Sequence, residues 1–297
     1  MRRSWNGCIS TAFRWTVVSP EAARSTPLDA ARDALRLRQG LGARYDAPNA
    51  PVRELGWARR GAAYFALKLN ELGDADLLRP SVVAGWSRQH VAACVGYHAR
   101  ALTRLTERAR TGADLHLFPE PGQREAEIAD GGTLPAGALR HLVTHADIHL
   151  TVEWRDLSVE DWDRPLDAWE SEPATVRQTP WLRAREIWLQ AVNLGNGGTL
   201  RDAPADFLRA LIDERIAQLN AIEPALAASA RHDGGSRIVV AGRVMEGRLH
   251  DLAHWLCGCG SGAKAGPGAD EQQRIAALAP PALRPNADIV EKENSHA

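Results

Sequence analysis

Long apolar runs are missing from this chain. No uncharged apolar stretch in its 297 residues approaches the roughly 18–20 that a spanning helix needs. Cysteine is scarce: Cys8, Cys94, Cys257 and Cys259 are the only four. Four in a chain of this length make no disulfide framework, and Cys257 and Cys259 sit too close together for an easy bridge. Free thiols and a reducing, cytoplasmic compartment are therefore expected. Neither sign of charge dominates. Thirty-six basic residues against thirty-seven acidic ones leave a formal charge of −1, so no global field draws the chain to nucleic acid or to an anionic membrane. The GxSxG elbow, the Walker loop and the GxGxxG fingerprint are also absent, and Gly195–Gly198 reads as a turn without phosphate-loop spacing. These absences exclude a membrane-spanning protein, a disulfide-stapled miniprotein and a polycationic DNA binder. What remains has the balance of an ordinary globular chain, 44% hydrophobic and 25% charged, long enough to bury a large core.

What is present is mostly helix. Met1 to about Ser25 carries Arg2, Arg3 and Arg14 and no acid before Glu21. Arg14 interrupts the apolar centre that a secretory signal requires, so residues 1–25 are read as a disordered extension outside the fold. Leu28–Leu41 has helical spacing. Trp57–Leu72 is a stronger amphipathic helix, with Gly73 as its stop. Ser87 caps a helix running to Thr111 and closed by Gly112. After a polar loop, Thr133–Trp154 is helical with Pro135 in its first turn. Residues 162–179 read as irregular and acidic, Pro180 opens a helix ending at Gly195, and Pro204–Leu219 forms another. SRIVVAGRV reads as a short strand pair around Gly242, and GRLHDLAHWLCG returns to helical spacing. The domain reading is a helical bundle over residues 26–222, a small α+β domain over 223–260, and a disordered tail over 261–297.

Four groups of residues have the types that chemistry needs. His90, Cys94 and His98 follow one another at four-residue intervals on one helix face, and Glu186 and Gln190 are four apart on a later helix. Imidazole and thiolate suit zinc, and facing helices that project ligands inward are how bundles build metal sites. The plainer reading of the same pattern is surface histidines around a small core cysteine. His141, His145 and His149 form a second stripe. Its ends lie about 12 Å apart along the axis, so the three cannot share one ion, and a solvated face accounts for them better. Trp181 and Trp188 read as core. Arg183 and Arg185 could grip a carboxylate, or more plainly pair with Glu186 or Glu170. Cys257–Gly260 is half of a zinc knuckle without its partner pair.

The segments AGWSRQHVAACVGYHARAL, REAEIADGGTLPAGALRHLVTHADIHL and TPWLRAREIWLQAVNLG, in that order, resemble the mycothiol-dependent maleylpyruvate isomerase family. The resemblance runs from about Ala58 to Asn220, and IVVAGRVMEGRLHDLAHWLCGCG is similar to the family's small C-terminal domain. It implies a mainly α fold: a DinB-like four-helix bundle with a small α+β C-terminal domain. It implies one zinc or other divalent ion, with ligand positions falling on Cys94, Glu186 and Gln190; His90 and His98 are the substitutes within one turn of Cys94. The glutamate is kept. The family's two histidines become Cys94 and Gln190, the aspartate of its His-Ala-Val-Asp-Leu segment becomes Asn193, and its catalytic arginine falls on Cys259.

The implied reaction converts maleylpyruvate to fumarylpyruvate in gentisate and aromatic-compound breakdown, with mycothiol or another low-molecular-weight thiol as cofactor. A thiolate that adds to a carbon–carbon double bond leaves a single bond, which rotates before the thiolate departs. The expected partner is this small-molecule substrate, with neither nucleic acid nor membrane. Two alternatives follow from the altered ligand positions: a thiol S-transferase of the same fold, or a metal-free relative that binds a ligand and catalyses nothing.

Overall fold

Ser87 starts the helix around which the molecule is built. In the computed structural model, which describes residues 45–258 except 117, 119, 121, 170, 171 and 233–235, that helix spans Arg88–Thr111. The extension at 1–25, the Leu28–Leu41 helix, Cys259 and the tail from 261 lie outside the described residues. The Arg88–Thr111 helix ends on Gly112 in the left-handed conformation, φ +73°, where the missing Cβ removes the steric cost.

In chain order the helices are α1 (Val52–Asn70), α2 (Asp74–Leu77), α3 (Arg88–Thr111), α4 (Gln123–Gly131), α5 (Ala136–Asp156), α6 (Thr179–Asn193), α7 (Ala205–Ile222) and α8 (Leu249–Cys257). α1, α3, α5 and α6 form the bundle, with α3 against α5 and α1 against α6 as its closest pairs. Two glycines permit those approaches. A Cβ on Gly96 of α3 would stand 2.8 Å from Leu142 Cγ of α5, and one on Gly61 of α1 only 2.6 Å from Ile187 Cγ2 of α6. α3 and α6 are buried on nearly every side, as helices sandwiched between others must be.

The structure moves several expected boundaries. α1 begins at Val52, and Gly73 caps α2 rather than ending α1. Pro135 stands at the N-cap of α5 rather than in its first turn. Residues 123–131, expected as loop, form α4. Its Ile128 is buried and its Gly131 lies where a Cβ would meet Ala93 and Tyr97 of α3. The stretch expected to be irregular holds an antiparallel pair, β1 (Pro165–Trp169) with β2 (Glu172–Thr175), paired Pro165 to Thr175.

After α7, the strands β3 (Ser229–Arg231), β4 (Ser236–Val240) and β5 (Arg243–Gly247) form an antiparallel meander in that order. Ala241 and Gly242, at φ 51° and 76°, make the two-residue turn between β4 and β5, as the strand-pair reading around Gly242 expected. Alternation sends Ile238 and Val240 inward, where Leu252, Ala253 and Leu256 of α8 are also buried. Arg215 of α7 is buried and donates from Nε to the Leu256 carbonyl at 3.2 Å, satisfying a group at the end of α8. One hydrophobic core runs from Ala50 to Cys257 through bundle and meander alike. The chain has the mainly helical fold with a small antiparallel sheet that the sequence pointed to. Among the described residues no helix is long and apolar enough to cross a membrane.

Candidate functional site

α6 carries its polar residues inward. Arg183, Arg185, Glu186 and Gln190 are all buried, an expensive arrangement unless every charge and amide finds a partner. Arg183 donates to the Val95 carbonyl of α3 at 2.8 Å and to Asp147 of α5 at 3.1 Å. Arg185 donates to Glu214 of α7 at 2.9 Å, and Trp181 Nε1 donates to the same carboxylate oxygen at 2.7 Å. Their carboxylate partners, Asp147 and Glu214, come from other helices and so leave no mark in local spacing; Glu170, one of the partners expected from the sequence, lies outside the described residues.

Cys94, Glu186 and Gln190 meet at one buried point between α3 and α6. The Cys94 thiol donates to Glu186 Oε1 at 3.1 Å, and Gln190 Nε2 donates to the same oxygen at 3.0 Å. Gln190 Nε2 also lies 3.7 Å from Cys94 Sγ, and Asn193 Nδ2 donates to Gln190 Oε1 at 3.2 Å. The amide orientation follows from its partners. Turned over, Gln190 would set its carbonyl oxygen against the Glu186 carboxylate, acceptor against acceptor. From α4, Arg124 brings Nη2 to 3.7 Å from Cys94 Sγ. Burial and then the Glu186 charge push the Cys94 thiol well above its ordinary pKa, against the pull of Arg124 and Arg183.

The two substitute histidines take other places. His90 turns back to the start of α3. Its Nδ1 lies 2.7 Å from Ser87 Oγ and accepts from the Ser87 N–H at 3.3 Å, while its ring stacks on Trp86 and covers Gly132. It serves as a capping residue there. His98 is buried one turn beyond Cys94. Burial, then the charges of Arg183, Arg124 and Arg185, hold its imidazole neutral well below the usual pKa. His141, His145 and His149 are exposed, with the first two rings 3.8 Å apart and His149 beside Glu153, in keeping with a solvated face. Trp188 is buried and Trp181 packs on Trp57 and Phe207, as core residues do.

Zinc in a protein takes nitrogen, sulfur and oxygen ligands, three from the protein even at an open catalytic site. Gln190 presents an NH₂ group to the centre, and a donor cannot ligate a cation. The two donor atoms left, Cys94 Sγ and Glu186 Oε1, are hydrogen-bonded to each other. Among the described residues no group of three or more His, Cys, Asp or Glu side chains is arranged to hold a metal ion. The residues present therefore do not fit zinc. Arg124 was missed by sequence reasoning. Its signal, an arginine opening the REAEIADGG segment, is visible only once that segment is known to be a helix against α3.

Two solved structures match the chain. It is 29% identical to the structure described as the crystal structure of the mycothiol-dependent maleylpyruvate isomerase, with a TM-score of 0.62 over 71% of this chain and 90% of that one. A histidine-to-alanine mutant of a mycothiol-dependent maleylpyruvate isomerase matches at 29% identity and TM-score 0.61, over 70% and 89%. No curated protein matches. The family described as mycothiol maleylpyruvate isomerase N-terminal domain matches residues 58–195, the stretch from α1 to the end of α6 that holds Cys94, Arg124, Glu186 and Gln190. Over residues 58–195 the chain matches the mycothiol maleylpyruvate isomerase N-terminal domain, and over most of its length it is similar to solved structures of mycothiol-dependent maleylpyruvate isomerase.

Proposed function

We propose that the chain is a thiol-dependent cis–trans isomerase of this type, acting in the cytoplasm on a small unsaturated keto diacid. Maleylpyruvate is the first substrate to test and mycothiol the first thiol, and the product would be fumarylpyruvate, within aromatic-compound breakdown. One observation carries the reading: the likeness to an isomerase spans the bundle, and the three centre positions still converge on one buried point.

The chemistry asked of the centre is modest. The sulfur of the incoming thiol bonds to one alkene carbon and the electron pair moves into the conjugated carbonyl. The resulting single bond rotates, the pair returns, and the sulfur–carbon bond breaks. Glu186 is the carboxylate at the centre and the residue suited to take the thiol's proton and later return it. Arg124, its side chain only 17% exposed, is suited to hold a substrate carboxylate. The test is mycothiol-dependent loss of maleylpyruvate, followed for the wild-type chain and for Glu186→Gln. Turnover that collapses in the variant supports the assignment, and equal turnover in both removes Glu186 from the reaction.

A second reading has a specific observation behind it. The hydrogen-bonded Cys94, Glu186 and Gln190 set, with its polar groups already partnered, suits a metal-free relative that binds a small ligand and catalyses nothing. Binding of mycothiol or maleylpyruvate without turnover would favour it.

A further inference from the structure

The donor set at the centre and the charge around it point the same way. We propose that this chain's centre is metal-independent: the Cys94–Glu186–Gln190 hydrogen-bond knot stands where the family resemblance puts zinc, and the Arg124 guanidinium supplies the positive charge. The inference rests on the family placement and deepens the reading of the site, but it does not require that maleylpyruvate be the substrate.

Glu186 is 2% exposed, so its carboxylate needs hydrogen bonds and a countercharge from inside the protein. It has both without a metal. Cys94 and Gln190 donate to Oε1 at 3.1 and 3.0 Å, and Asn193 holds Gln190 in the donating orientation. The two histidine positions of the family have become a thiol and an amide that complete the knot, and the aspartate has become an amide that locks it. Of the arginines nearby, Arg183 is engaged by Asp147 and the Val95 carbonyl, and Arg185 by Glu214. Among the described residues Arg124 makes a loose ion pair, 3.7 Å to the half-exposed Glu125, and its other terminal nitrogen stands against Cys94 Sγ. Among the described arginines around the centre, its charge interacts with Glu186 and is not taken up by a close carboxylate partner.

The experiment uses the full chain, purified without chelator or histidine tag. Elemental analysis is expected to find no stoichiometric zinc, and cobalt(II) titration no thiolate-to-cobalt charge-transfer band. About one zinc per chain, lost in Glu186→Ala, would overturn the proposal. Gln190→His restores a third ligand and is expected to take up cobalt with that band. A folded Gln190→His that takes none would show that the knot is not what excludes the metal, and would overturn the assignment. Should Gln190→His fail to fold, Arg124→Gln, Glu186→Gln and the double variant carry the charge claim. Their losses in Tm are expected to be strongly non-additive, because removing one partner strands the other; additive losses would refute the pairing. Isomerase activity separates the two readings. Turnover unaffected by EDTA supports both. Turnover abolished by EDTA and restored by zinc sinks metal independence alone. No turnover with or without zinc sinks the isomerase reading and leaves the binding result to decide this one.

Discussion

A glutamine that donates and a glutamine that ligates look the same in sequence. Spacing put Cys94 on one helix, Glu186 and Gln190 on another, and the family resemblance set them together; the structure joins them within hydrogen-bond reach. What spacing could not give is which way each group faces. His90 and His98 share a nominal face with Cys94, yet His90 is drawn off by Ser87 at the helix start. His98 is the more consequential of the two. Its folded-state pKa lies well below 6.5 because burial and then three arginines oppose its charge, while the unfolded chain takes up the proton near 6.5. The unfolded state therefore binds more protons across that window, so this contribution to stability is full above pH 6.5 and is lost as pH falls toward the folded value. His254 is shifted in the same direction, by burial first, and shares the slope. Melting temperature is expected to drop between about pH 7.5 and about pH 5, and to drop less steeply in His98→Gln. An identical slope in the variant would contradict this.

At the scale of elements, the caps were the most legible feature. Ser87 and Gly112 bound α3 as expected, Pro180 falls in the first turn of α6, and Ala241-Gly242 turns the β4–β5 hairpin. The β1–β2 pair was not legible, because Pro165, Asp167, Glu172 and Pro173 are poor strand formers and tertiary context overrides them. α4 was missed for a similar reason: a nine-residue segment with Ile128 as its one large apolar residue and a glycine at its end becomes a helix by packing Ile128 and Gly131 on α3. Two substitutions test the elements. Gly61→Ala forces a Cβ to 2.6 Å from Ile187 and 2.9 Å from Trp188 Nε1, where neither helix has room to give. A loss of about 1–3 kcal/mol in denaturant unfolding is expected. Ala241 is an L-residue in the left-handed region, so Ala241→Asn is expected to gain roughly 1 kcal/mol. A neutral result at either position would mean that the backbone there relaxes freely.

At the scale of the molecule, the continuity of the core matters most. Bundle and meander share one buried cluster, and the α7–α8 contact is tied by Arg215 to the Leu256 carbonyl. Calorimetry is expected to show one cooperative transition for bundle and meander, with two resolved transitions contradicting a shared core. The helical class and the order of elements were readable because periodicity and family resemblance both act over long stretches. The ion pairs that stitch the helices were not readable: Arg183 to Asp147 spans thirty-six residues and Arg185 to Glu214 twenty-nine. The fold is similar to that of a solved isomerase, and within it α3 and α6 bring Cys94, Glu186 and Gln190 to one buried point; on the proposal above, the side chains there decide what that point can hold. The most direct measurement is maleylpyruvate turnover by the full-length chain with mycothiol, in EDTA. The account expects conversion to fumarylpyruvate that requires the thiol and withstands the chelator. No conversion with either EDTA or added zinc would contradict its central claim.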